Sequence, residues 1–203
     1  MKRLIIAIIC LFSLTLSALA AESADALLNK ATDRLRKATS VQAAYTLTSG
    51  GEKWAGKITL SGDRFCMTSP DILTWYDGKT QWSYSKSNNE VSITEPTPQE
   101  LSMINPFVII NAFRKNFKAS LTSAPKGFKS IVLTAINPKS EINKAIVTLN
   151  EATLLPSKID LTTSQNQSIS ITLSSVANGP KLNIKAFQFY APNYPGVSIV
   201  DLR

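Results

Sequence analysis

The chain has 203 residues, a formal net charge of +8, two cysteines and no histidine. The missing histidine excludes Ser-His-Asp and Cys-His nucleophilic systems and every zinc site that needs an imidazole. No glycine-rich phosphate loop, GxSxG elbow or paired-carboxylate motif is present, so the sequence predicts a non-enzyme with no cofactor and no bound metal. The lysines are scattered along the chain, which argues against a nucleic-acid partner; the mild basic excess suits a weak attraction to anionic membrane surfaces.

The first twenty residues read as an export signal. Lys2 and Arg3 precede an apolar run from Leu4 to Leu16, and Ala18-Leu19-Ala20 fits the small-x-small rule for cleavage. The run is too short for a comfortable membrane span. Ile8-Ile9 precede Cys10 where a lipobox requires a small residue, so no lipid anchor is expected. Cleavage after Ala20 leaves residues 21–203 as one domain, lowers the charge from +8 to +6 with the loss of Lys2 and Arg3, and leaves Cys66 without a partner for a disulfide.

Residues 22–39 predict one helix, with Ala24, Leu28, Ala31, Leu35 and Ala38 forming a narrow apolar stripe. The period then changes to two. Val41, Ala43, Tyr45 and Leu47 alternate with Gln42, Ala44, Thr46 and Thr48, Gly50-Gly51 turns the chain, and Trp54, Gly56, Ile58 and Leu60 alternate again. Phe65 and Met67 continue the pattern after Gly62-Asp63. Ile72 to Tyr84 reads as a hairpin around Asp77-Gly78, with large aromatics on both arms; Val91 and Ile93 follow Asn88-Asn89. Residues 95–116 break the β pattern. Thr97-Pro98-Gln99-Glu100 carries a capping-box signature, and Asn105-Pro106 restarts the signal before an apolar run to Phe113, so two short helices are expected. Further strands are predicted at 117–121, 130–136, 144–149, 157–162, 168–174 and 182–189. Ten or eleven strands with one apolar face each must bury that face as a sandwich, or as a curled sheet around a core or a cavity.

Three segments resemble the periplasmic outer-membrane lipoprotein carrier proteins, the LolA family. They are Asp77-Gly78-Lys79-Thr80-Gln81-Trp82-Ser83-Tyr84, the apolar Asn105-Pro106-Phe107-Val108-Ile109-Ile110-Asn111, and the C-terminal Phe187-Gln188-Phe189-Tyr190-Ala191-Pro192 with Pro195-Gly196-Val197 and Asp201-Leu202-Arg203. The resemblance implies a mainly β fold with a few helices. It is a curved, incomplete antiparallel β-barrel, with short helices as a lid over a hydrophobic cavity. It also implies a soluble, monomeric periplasmic carrier that takes the acyl chains of lipoproteins, or of other lipids, from an inner-membrane releasing transporter to an outer-membrane acceptor. Other readings are a carrier of another amphiphile such as a glycolipid, a regulatory half-barrel that senses a lipid or a protein, and a hydrolase of lipid-like substrates, which the lack of histidine disfavours.

On this reading the acyl-chain cavity is walled by Ile58, Leu60, Phe65, Met67, Leu73, Trp75, Trp82, Val91 and Ile93. The lid comprises Leu101, Ile104, Phe107, Val108, Ile109, Ile110 and Phe113. The family often holds its lid with an arginine in an Arg-Pro pair; here Leu60-Ser61-Gly62-Asp63 stands in that region, and Arg64 is the candidate anchor, reaching carbonyls near Ile104.

Overall fold

A computed structural model describes residues 22–98, 100–101, 105, 110 and 115–203. The export segment therefore lies outside the described residues. Helix α1 spans Ala24–Lys37. The Ser23 hydroxyl accepts from the Ala26 backbone N–H at 3.1 Å, Asp25 sits in the first turn, and Arg34, Arg36 and Lys37 sit in the last. Both ends thus complement the helix dipole. The buried stripe is Ala24, Leu27, Leu28, Ala31 and Thr32, with Leu35 only partly covered.

Twelve strands form one open sheet. In chain order they are β1 (Val41–Ser49), β2 (Glu52–Ser61), β3 (Arg64–Thr68), β4 (Ile72–Tyr76), β5 (Gln81–Ser85), β6 (Glu90–Thr94), β7 (Phe117–Thr122), β8 (Phe128–Ala135), β9 (Ile142–Asn150), β10 (Pro156–Thr163), β11 (Ser168–Asn178) and β12 (Ser198–Asp201). The spatial order is β12-β6-β5-β4-β3-β2-β1-β11-β10-β9-β8-β7. Each arm is a run of hairpins, and the antiparallel pairing of β1 with β11 joins them, with Tyr45 opposite Leu173. β7 and β12 are the two edges, so the curved sheet does not close into a barrel.

Turn chemistry explains the hairpins. Gly50 and Gly51 take φ of +58° and +86° between β1 and β2. In the loop after β4, Gly78 takes φ +106°, and the Asp77 carboxylate accepts from the backbone N–H groups of Lys79 (3.0 Å) and Thr80 (2.9 Å). The capping box forms as expected: the Thr97 backbone N–H donates to Glu100 Oε2 at 2.7 Å, and the Glu100 N–H donates to Thr97 Oγ1 at 3.3 Å.

Residues 182–189 are not a strand. The Asn183 side chain accepts from the Lys185 N–H at 3.1 Å and starts a 3₁₀ turn at Ile184–Phe187. The chain has already left the sheet there, tied to the start of β1 by Gly179 N–H to Ser40 O (2.9 Å) and Ser40 Oγ to Pro180 O (2.8 Å). The last strand is instead β12, which pairs with β6 in parallel, Ile199 opposite Val91.

One close approach limits substitution in the sheet centre. A Cβ on Gly56 would sit 1.9 Å from Thr68 O and 2.6 Å from the Tyr45 hydroxyl oxygen. Tyr45 uses that space, donating its hydroxyl to Thr68 O at 3.3 Å. Gly56→Ala is therefore expected to lower stability by about 1–3 kcal/mol, the usual cost of overpacking. Equilibrium denaturation in urea measures it, and an unchanged midpoint would contradict the packing described.

Candidate functional site

Residues directly opposite in an antiparallel pair share a sheet face. Ile58 lies opposite Ala43 and Met67, and Leu60 opposite Val41 and Phe65; Phe65 in turn faces Tyr76. These side chains belong to the core that α1 covers, together with Leu27, Leu28 and Ala31. We call this the core face. Cys66 lies opposite Trp75, Trp75 opposite Trp82, and Trp82 opposite Ile93; Leu73 lies opposite Tyr84, and Tyr84 opposite Val91. Those five predicted wall residues, Leu73, Trp75, Trp82, Val91 and Ile93, project from the outer face. The structure thus divides the nine expected wall residues between two faces. Only Ile58, Leu60, Phe65 and Met67 share the core face.

The outer face of β3–β6 is covered by the C-terminal segment. Trp75 meets Phe189 and Tyr194 at ring-centroid distances of 5.8 and 5.9 Å, and Tyr84 meets Tyr194 at 4.5 Å. Polar contacts fix the strap. Gln188 Nε2 donates to Asp77 Oδ2 (3.0 Å), and Asn89 Nδ2 donates to Gly196 O (3.0 Å) while its Oδ1 accepts from the Tyr84 hydroxyl (3.1 Å). Two of the segments that carry the resemblance, the Asp77 hairpin and the C-terminus, are therefore one structural clasp. Burial pushes the Cys66 thiol up to about 11, so it stays protonated there.

Arg64 also belongs to the outer face, one residue from Phe65. Its guanidinium carbon lies 5.5 Å from the ring centroid of the fully buried Phe187. The expected lid contact is with carbonyls near Ile104, a residue outside the described set; the contact observed is with the strap, on the face away from α1.

The core face changes character along the sheet. At its centre Ile58, Leu60 and Phe65 are buried to 8 % exposure or less. Towards the β1–β2 hairpin the apolar positions open. Leu47 and Met67 are half-buried, and Trp54, opposite Leu47, is 42 % exposed. Ile169 of β11 is half-buried nearby, opposite Ser49. Towards β5 the same face turns polar. Thr74, Gln81 and Ser83 follow Tyr76, and the Gln81 side-chain oxygen Oε1 is buried without a partner among the described residues. Leu47 and Trp54 were not among the expected wall residues, although their alternation is continuous with Ile58 and Leu60.

Of the expected lid, Leu101 is half-buried against the core and Ile110 is fully buried in it. Ile104, Phe107, Val108, Ile109 and Phe113 lie outside the described residues. The Thr32 hydroxyl donates to Ile110 O at 3.2 Å, tying Ile110 to α1. On the other arm, a cleft of about 330 Å³ mixes Lys115, Asn137, Ser140 and Glu141 with Phe117 and Ile136, a lining less suited to an acyl chain than the Leu47–Trp54–Met67 rim. Among the described residues no cluster of three or more His, Cys, Asp or Glu side chains could hold a metal ion, and no helix is long and apolar enough to cross a membrane.

Comparison with known proteins yields one family match. The model for "Outer membrane lipoprotein carrier protein LolA" matches residues 14–165. No curated protein matches the chain. Among solved structures, an uncharacterized conserved protein from Thermus thermophilus is similar over 88 % of this chain and 98 % of its own, with 12 % identity and a TM-score of 0.61. A putative outer membrane lipoprotein-sorting protein domain from Vibrio parahaemolyticus is similar over 80 % of this chain and 94 % of its own, with 10 % identity and a TM-score of 0.46. A LolA superfamily protein from Nitrosomonas europaea is similar over 82 % and 98 %, with 12 % identity and a TM-score of 0.42.

The clasp has a pH signature. Burial raises the Asp77 pKa, but hydrogen bonds from Gln188 and from the Thr80 and Lys79 backbone outweigh it, and the net shift is downward. A lowered folded pKa stabilises above the ordinary aspartate value of about 3.9, and that contribution is lost as pH falls through the folded pKa. Asp77→Asn is therefore expected to be less stable than the parent near pH 7, with the gap shrinking below about pH 4. Urea midpoints measured from pH 7 to pH 3 check this; a gap independent of pH would contradict it.

Proposed function

Because the chain belongs to the outer membrane lipoprotein carrier protein LolA family, we propose that it is an exported, non-catalytic periplasmic carrier that shields the acyl chains of lipoproteins between the inner and outer membranes. The observation that carries the reading is the rim of Leu47, Trp54 and Met67, apolar positions on the same face as the core but incompletely covered. An acyl chain laid there extends the core without exposing new hydrocarbon to water.

The energetics favour such a role. Each buried CH₂ contributes about 0.8 kcal/mol, so a sixteen-carbon chain represents about 12 kcal/mol before the costs of ordering it. Binding is easily strong enough; release is the difficulty. The carrier must lose affinity at the acceptor, and a ligand responds only to a difference between two states. Ile110 is suited to create that difference. Ile110 is fully buried in the core, and the Thr32–Ile110 hydrogen bond is a weak latch that α1 can release. The polar band of Thr74, Gln81 and Ser83 would meet the polar end of an amphiphile oriented along the face.

Two measurements follow. A photo-crosslinking residue at Met67 is expected to capture lipoproteins in intact cells, whereas the same residue at Trp82, on the outer face, is not. Lipoprotein adducts from Trp82 with none from Met67 would reverse the assignment of faces. Intact-mass analysis of the exported protein is expected to show a chain beginning at Ala21 with no acyl group; an acylated cysteine would replace the soluble carrier with an anchored one.

A further inference from the structure

The lysines that look scattered in the sequence are gathered by strand register. Along β2, Lys53 and Lys57 alternate with the core-facing Trp54, Gly56 and Ile58, so both point outward. Lys57 lies opposite Ala44, which lies opposite Ser174 on β11. Lys158 of β10 lies opposite Thr172 and Thr148, Lys144 of β9 opposite Thr162 and Thr134, and Lys118 of β7 opposite Thr134. All five lysines are exposed and project from the outer face of seven consecutive strands, β2-β1-β11-β10-β9-β8-β7.

Of the fourteen carboxylates in the chain, the outward strand positions of this face carry only Asp160, and Lys158 neutralises it at 2.9 Å. The other four lysines make no ion pair among the described residues. Between the lysines lies a field of Ser and Thr, including Thr46, Thr48, Ser170 and Thr172. The strap ends where this field begins, because it covers only the outer face of β3–β6.

We propose that this outer face is an electrostatic docking surface for an anionic lipid bilayer. The seven strands span about 29 Å at the usual interstrand spacing. The charges are therefore spread over an area that meets many headgroups and fits no single small ligand. Among the described residues, the only aromatic at an outward strand position of this face is Phe128, half-buried at the start of β8, so the face lacks both the cluster of exposed aromatic anchors that dominates protein interfaces and the row of aromatics on which bases stack. A diffuse plane of phosphates needs neither. The attraction acts through a Debye length of about 8 Å at physiological salt, so it holds the protein at the surface reversibly. The inference stands on charge and register alone and does not depend on the carrier reading.

The test uses the full exported protein and vesicles free of any lipoprotein. Sedimentation with vesicles of phosphatidylglycerol and phosphatidylcholine is expected to remove protein from solution at low salt, with binding fading as salt rises. Vesicles of phosphatidylcholine alone should leave it in solution. A variant carrying Lys53→Gln, Lys57→Gln and Lys144→Gln is expected to bind about a hundredfold more weakly, at about fivefold for each lysine. A second variant, with three exposed lysines outside the strands changed, Lys126→Gln, Lys139→Gln and Lys185→Gln, has the same net charge and should bind within about threefold of the parent. Equal losses in the two variants would reduce the effect to net charge and overturn the proposal. So would indifference to the anionic lipid, or binding to an acidic polypeptide such as polyglutamate with none to either vesicle.

Discussion

Everything in this molecule depends on the pairing of an open sheet whose two faces must be covered by different parts of the chain. An antiparallel strand sends alternate side chains to opposite sides, and a shift of one residue exchanges them all. Phe65 opposite Tyr76, and Cys66 opposite Trp75, set that parity for the aromatic region. β4 then carries Tyr76 on its core side and Leu73 and Trp75 on its outer side, and an open sheet tolerates large apolar groups on both sides only when both are capped. Helix α1 and Ile110 cap one side, and the strap from Phe187 to Asp201 caps the other.

This division assigns different roles to residues that look alike. Trp75 and Trp54 are both large aromatics in period-two strands. Trp75 is held by Phe189 and Tyr194 within a clasp closed by the Asp77–Gln188 and Asn89–Gly196 hydrogen bonds. Trp54 stands at the open end of the core face with 42 % of its surface exposed. The first contributes stability; the second stands partly open to solvent. The same logic places Arg64 with the strap, where its charge lies against the face of Phe187.

Much of the architecture was legible in the sequence. The helix at Ala24–Lys37, the capping box at Thr97 and Glu100, and the hairpins at Gly50-Gly51 and Asp77-Gly78 each rest on local chemistry, which a sequence states directly. The face of each aromatic was not legible, because Ile72-Leu73-Thr74-Trp75-Tyr76 lacks a clean alternation and cannot set its own parity. The alternation at 182–189 misled for a related reason. Asn183 caps a 3₁₀ turn, and Phe187 is buried with the Arg64 guanidinium over its ring. β12 escaped notice because a four-residue parallel edge strand has no hairpin turn to announce it. The basic face was invisible for the opposite reason: its lysines are far apart in sequence and are brought together only by register.

The central claim is that acyl chains lie on the core face beside Leu47, Trp54 and Met67. Native mass spectrometry of protein recovered from the periplasm without detergent tests it most directly. The account predicts a one-to-one complex with an acylated protein that is lost in Met67→Asp and retained in Thr46→Asp, a like charge on the opposite face of β1. A cargo mass unaffected by Met67→Asp, or recovery of only the unliganded chain, would contradict it.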